Sequence, residues 1–194
     1  MKFFTNTELR DLVIAIIALA LIFSFPDFTL FLLSLIIVFF SYFVHELGHK
    51  FVARKFGCLA TFKIWPAGIF LGIMSMMFKF IGGWSIVFVA PGFVEIMPYS
   101  FGRWGFKVVK LGPKETGIIS LAGVGVNVLF AVIFRMIPGD IFRILSDYNG
   151  FLALFNLLPI PPLDGSKIFM WEMWIWLFLI FITVLTIFVF KPLI

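Results

Sequence analysis

Apolar residues run along this chain in blocks, not in the alternation of a half-buried strand or the narrow stripe of a surface helix. The first block, Leu12 to Phe25, is interrupted only by Ser24 and closes on Pro26-Asp27. With its flanks it predicts a membrane helix that is retained, because no small-residue cleavage signature follows it. A second block, Phe28 to Val44, keeps its helical pattern through His45, Glu46 and His49, so its polar trio falls at the far end. A third, Ile118 to Ile137, carries Gly123, Gly125 and Asn127, small residues of the kind that let helices approach closely. Phe151 to Leu158 opens a fourth, which Pro159, Pro161 and Pro162 then deny continuous helical hydrogen bonding, predicting a kinked or extended stretch. Met173 to Phe190 is the last, with Thr183 and Thr186 its only polar interruptions.

Between the second and third blocks the pattern changes. Gly68 to Phe78 and Ile81 to Ala90 are short, and Lys79 and Gly82-Gly83 break them, so they predict an interfacial or re-entrant hairpin instead of two spans. Gly68 and Gly72 are read there as turn glycines. The fold class expected is an all-α polytopic membrane protein of about five to six transmembrane segments, forming one domain over residues 1–194.

Composition agrees with that solvent. Hydrophobic residues make up 62% of the chain and charged ones 13%, against about 45–50% and about 25% in soluble domains. A soluble globular fold and a disordered chain are both excluded. The net charge of +5 does not point to nucleic acid, because the 15 basic residues are scattered among apolar runs. From Lys50 to Lys114 the basic residues face a single acid, Glu95, which by the positive-inside rule assigns this stretch to the cytoplasm. Cys58 is the only cysteine, which removes an intrachain disulfide and a cysteine-based zinc cluster.

The chemistry concentrates in few residues. The only two histidines, His45 and His49, stand four apart with Glu46 after the first, the pattern H-E-x-x-H. On a helix this puts two imidazoles on one face with a carboxylate beside them. Catalytic zinc takes three protein ligands and keeps a fourth position open. His45 and His49 supply two, and Glu46 is placed to act as general base on zinc-activated water. The third must come from elsewhere. Asp164 is the leading candidate, a costly ionisable group in the proline-broken segment Asn156 to Gly165; alternatively it caps a helix that begins near Ser166.

His45-Glu46-Leu47-Gly48-His49, followed at compatible distance by Asn156 to Gly165, resembles the two signatures of the site-2 protease family of intramembrane zinc metalloproteases. Gly123 and Asn127 are similar to a third, weaker element. The resemblance covers about Leu12 to Ile168. It implies a three-span catalytic core, here about 28–49, 117–137 and 150–168, with one zinc ion per chain held by His45, His49 and Asp164. It makes Glu46 the base, and Asn127 and Asn156 supports for substrate or transition state. It also implies a small membrane-associated β-hairpin within 59–90, whose edge would hold an unwound substrate strand. Val124 and Ser166 stand where many relatives have proline and glycine, which affects cleft shape and not the ligand set. No PDZ or CBS domain is expected.

The function expected is therefore an intramembrane zinc metalloendopeptidase in the cell membrane, multi-pass, with its active site reached from the cytoplasmic side. Its partners would be transmembrane protein substrates and the bilayer, with no nucleic acid. The competing reading is a non-proteolytic membrane metal-binding or transport protein, which would have no need of Glu46 beside its ligands.

Overall fold

The computed structural model describes residues 4–82, 90–102 and 105–190. Its backbone is mostly helical: α1 (Asn6–Ser24), α2 (Phe31–Lys55), α3 (Pro66–Gly82), α4 (Pro113–Arg135), α5 (Asp140–Asn156), α6 (Asp164–Trp171) and α7 (Met173–Val184), the last continuing into a π turn at Leu185–Val189. Two small antiparallel sheets interrupt them. β1 (Leu59–Ile64) pairs with β2 (Gly92–Met97), and β3 (Tyr99–Gly102) with β4 (Gly105–Val108).

α1 and α4 start where their sequences offer a cap, whereas α2, with Leu30 at its cap position, has no side-chain cap. Thr5 and Glu8 form a reciprocal capping box at α1. Glu115 takes the Gly112 amide at the start of α4, where Pro113 costs no hydrogen bond. Among the described residues, two helical segments are long and apolar enough to cross a membrane, Phe28–Lys55, which includes the short turn leading into α2, and Pro113–Arg135. α1 carries Glu8, Arg10 and Asp11 in its first turns, and the apolar part of α3 is short.

α2 shows what solvent the fold expects. Its buried stripe runs Ser34, Ile37, Val38, Ser41, Tyr42, His45, Glu46, His49, Lys50 and Ala53, the 3.6-residue period of one face. Its outward face carries Leu32 at 69% exposure, Phe40 at 60% and Phe51 at 60%. The polarity is the reverse of a water-soluble helix, with polar side chains turned in and large apolar ones turned out. α4 repeats this, burying Ser120 and Asn127 while Leu129 stands 55% exposed.

Three apolar clusters hold the fold together. One joins α1 to α2 and β1 through Leu12, Leu19, Val38, Tyr42 and Phe62. Another packs α4, α5, α6 and α7 through Val124, Ala153, Leu157, Ile168 and Leu179. The third gathers Ala53, Cys58, Ala60, Val94 and Ile119 around the end of α2.

The hairpin expected within 59–90 takes a different form. β1 lies in that window, but its partner β2 begins at Gly92, and the chain between them forms α3 before residues 83–89, which lie outside the described residues. Gly68 and Gly72 belong to that helix and are not turn glycines. Gly68 is needed for contact, because a Cβ there would stand 1.8 Å from the Ala90 carbonyl oxygen. The small β element is thus two strands bridged by a helix. Likewise the segment 150–168 is not one continuous helix. α5 ends at Asn156 and α6 begins at Asp164.

Candidate active site

The site is built where the end of α2 meets α4 and the start of α6. His45, Glu46 and His49 are each at most 2% exposed on the buried face of α2. After α5 the Leu157 amide still reaches the Ala153 carbonyl at 2.9 Å. Pro159, Pro161 and Pro162 then supply no donors, and the chain turns. Gly165 permits the turn to close: an added Cβ would lie 2.2 Å from the Leu157 carbonyl. The turn sets Asp164, 4% exposed, opposite α2. It is the first residue of α6, with Leu163 at the cap position, so the capping alternative does not hold.

Asp164 Oδ2 lies 3.1 Å from His49 Nε2 and 3.5 Å from His45 Nε2, and the two Nε2 atoms are 3.0 Å apart. Ligand atoms about 2.0–2.1 Å from a tetrahedral zinc ion stand about 3.3 Å from one another. The triangle has that size and a mixed nitrogen and oxygen donor set. The Nδ1 of His49 donates to the Ile119 carbonyl on α4 at 2.8 Å, which leaves the Nε2 lone pair facing the other two ligand atoms. The His45 ring stacks parallel to Tyr42, with centroids 6.0 Å apart. Among the described residues, buried polar side-chain atoms without a hydrogen-bond partner gather mostly in α2, α4 and α6, at His45 Nδ1, Glu46 Oε2, Ser120 Oγ, both amide atoms of Asn127 and Asp164 Oδ1, with Asn149 Oδ1 on α5 the one outside them. Such a concentration marks a site made to bind.

The helices meet here because two glycines allow it. A Cβ at Gly48 would come 2.8 Å from the Ala122 carbonyl oxygen, and one at Gly123 would come 2.2 Å from His49 Nε2 itself. Gly125, paired with Gly123 in the sequence reading, meets only Leu121 of its own helix.

Known proteins with similar sequences carry the same chemistry in their names. The chain is 38% identical over 185 residues to the "putative zinc metalloprotease MJ0611" of Methanocaldococcus jannaschii, covering 89% of this chain and 88% of that one. It is 31% identical over 147 residues to the "putative zinc metalloprotease YwhC" of Bacillus subtilis, covering 66% of this chain and 63% of that one. No protein-family profile matches the chain, and no solved structure does. The chain belongs to this zinc metalloprotease family. Its metal is zinc, and among the described residues His45, His49 and Asp164 form a buried group whose ligand atoms lie close enough together that they could hold a metal ion.

In this metalloprotease the two asparagines stand differently. Asn127 is fully buried, one turn along α4 from Gly123, with its amide unpartnered. Asn156 donates to the Leu152 carbonyl of its own helix at 2.9 Å. Cys58 is buried with its thiol on the Ala53 carbonyl, and burial pushes its pKa up, so it is a poor metal ligand and nucleophile.

Three charged residues of the metalloprotease escape the sequence reading. Glu8 Oε1 lies 2.6 Å from Lys50 Nζ and accepts the Phe62 amide at 2.9 Å, while Lys50 also donates to the Ala60 carbonyl. This buried pair ties α1, the residue after His49, and β1 into one unit. Lys167 sits 3.5 Å from Asp164 Oδ1 and donates to the Val94 carbonyl of β2 at 2.9 Å. The only signal available for Lys167 was its i+3 spacing from Asp164 on one helix face; for Glu8 and Lys50 no local signal exists.

Proposed function

We propose that the chain is a multi-pass intramembrane endopeptidase of the site-2 protease type, hydrolysing peptide bonds of transmembrane helices. The observation that carries this reading is the reversed polarity of α2. The same helix that presents Leu32, Phe40 and Phe51 outward turns His45, Glu46 and His49 inward. A metal centre on the inner face of a lipid-facing helix meets substrates that are themselves in the bilayer. Exposed apolar side chains on α1, α3 and α7, among them Val13, Phe70 and Phe178, support further membrane-embedded segments.

His45, His49 and Asp164 would hold the zinc, which supplies Lewis-acid polarisation of the scissile carbonyl and of the attacking water. Glu46 takes the proton from that water and delivers it to the leaving amine, a role that general acid–base catalysis rewards with about 10²- to 10⁴-fold in rate. The Asn127 amide donates to the oxygen on which negative charge develops. With the amino terminus in the cytoplasm, α1 leaves and α2 returns, so that Lys50, Arg54 and Lys55 end on the cytoplasmic side of the bilayer beside the metal.

The test is cleavage of a tagged transmembrane-helix reporter by the purified protein in detergent. The protein and its Glu46→Ala variant are compared with and without a zinc chelator. Glu46→Ala retains zinc and loses cleavage, because the base is not a ligand. Zinc retained by the wild type without cleavage of any of several reporters would favour a metal-handling protein instead.

A further inference from the structure

The hydrogen-bond phase of the β1–β2 pair decides which backbone groups are free to bind something else. The Trp65 amide donates to the Pro91 carbonyl, which makes that pair a bonded one. In the observed register the bonded pairs then alternate through Lys63–Phe93 and Thr61–Glu95. Ala60, Phe62 and Ile64 of β1, and Gly92, Val94 and Ile96 of β2, therefore turn their amides and carbonyls outward. On β1, Lys50 holds the Ala60 carbonyl and Glu8 the Phe62 amide. On β2, Val94 is buried and its carbonyl is held by Lys167, whose other neighbour is the carboxylate of Asp164.

We propose that Lys167 is a positioning residue that couples the β2 edge to the zinc ligand. A substrate segment laid along β2 donates its own N–H to the Val94 carbonyl and displaces the Lys167 ammonium. The ammonium then closes onto Asp164 Oδ1, from which it now stands 3.5 Å away. The occupant of the edge is an extended, apolar stretch unwound from a membrane helix. A cavity of about 140 Å³ supports this choice. It is lined by Trp65, Ala90, Phe155, Leu158 and Leu163, beside both Asp164 and the approach to β2, and has the size and character for one apolar side chain. The proposal rests on the peptidase reading for the identity of the occupant.

The experiment uses the full chain with Lys167→Met and Lys167→Arg. Lys63→Met, which loses only the exposed cross-strand pair with Glu95, serves as control. Zinc retention is measured against a competing chelator, and binding of the labelled transmembrane reporter is measured in the Glu46→Ala background, where no turnover is needed. Lys167→Met is expected to weaken zinc about tenfold or more, as loss of an outer-shell partner does, and to tighten reporter binding several-fold because nothing need leave Val94. Where cleavage is measured, kcat and KM fall together, a pattern that simple loss of structure does not give. Lys167→Arg restores zinc retention, and Lys63→Met changes neither quantity. Unchanged zinc retention, reporter binding that weakens or stays the same, or no reporter binding in any variant would overturn the proposal. A wild type that binds reporter and zinc yet never cleaves would overturn the peptidase reading alone.

Discussion

Glycine 123 is the residue on which the site turns most narrowly. Its α-hydrogen occupies space that a methyl group would share with the His49 imidazole, 2.2 Å from Nε2. Gly123→Ala is therefore expected to lower zinc affinity by about ten- to a hundredfold, the range seen when ligand orientation is disturbed, measurable by chelator competition while the helical circular dichroism is retained. The Glu8–Lys50 pair makes a separate prediction. Glu8→Ala strands a buried ammonium and should cost about 3–5 kcal/mol, whereas adding Lys50→Met to it should recover much of the loss, a comparison that thermal unfolding of the four variants in detergent will settle. Native Cys58 should resist thiol reagents at neutral pH and react only on unfolding, since burial both shields it and disfavours its thiolate. At this scale the histidines were legible because ligand chemistry and helical spacing coincide within five residues. Glu8 was not, since only the tertiary fold brings Lys50 near it, and Lys167 offered only its i+3 spacing from Asp164, its second partner Val94 being distant in sequence.

Among the elements, α2 and α4 were legible as long apolar helices because their apolar runs are long and nearly uninterrupted. α3 was not, because Gly68 and Gly72 read as turns where the fold uses Gly68 to bring the helix against the chain entering β2. Gly68→Ala accordingly should separate α3 from β2, seen as faster proteolysis between residues 65 and 92 with α1 and α2 intact. The proline-broken joint between α5 and α6 was legible as a break, although its purpose is seen only in the contact of Gly165 with the Leu157 backbone. The outward face of α2 carries the element-scale test of its solvent. Phe40→Lys, near the middle of the apolar run and 60% exposed, should oppose membrane insertion by about 2.5–3.5 kcal/mol, read as the inserted fraction in a translocation assay. In an aqueous protein that substitution would be neutral or favourable.

For the molecule as a whole, the proposed topology puts Lys55 on the cytoplasmic side. A cysteine introduced there, in a chain with Cys58 replaced by alanine, is expected to react with an impermeant maleimide in inside-out vesicles and not in intact cells; the opposite pattern would invert the orientation.

His45 and His49 lie on α2, whereas Asp164 stands after α5 and the proline-broken turn. On the proposed reading, the two imidazoles are synthesised before the carboxylate that would complete their set. A half-made chain would therefore lack its cutting chemistry while it shares the insertion machinery with other nascent helices. The order of the candidate ligands along the chain would then act as a safety catch, released only once Asp164 has been inserted.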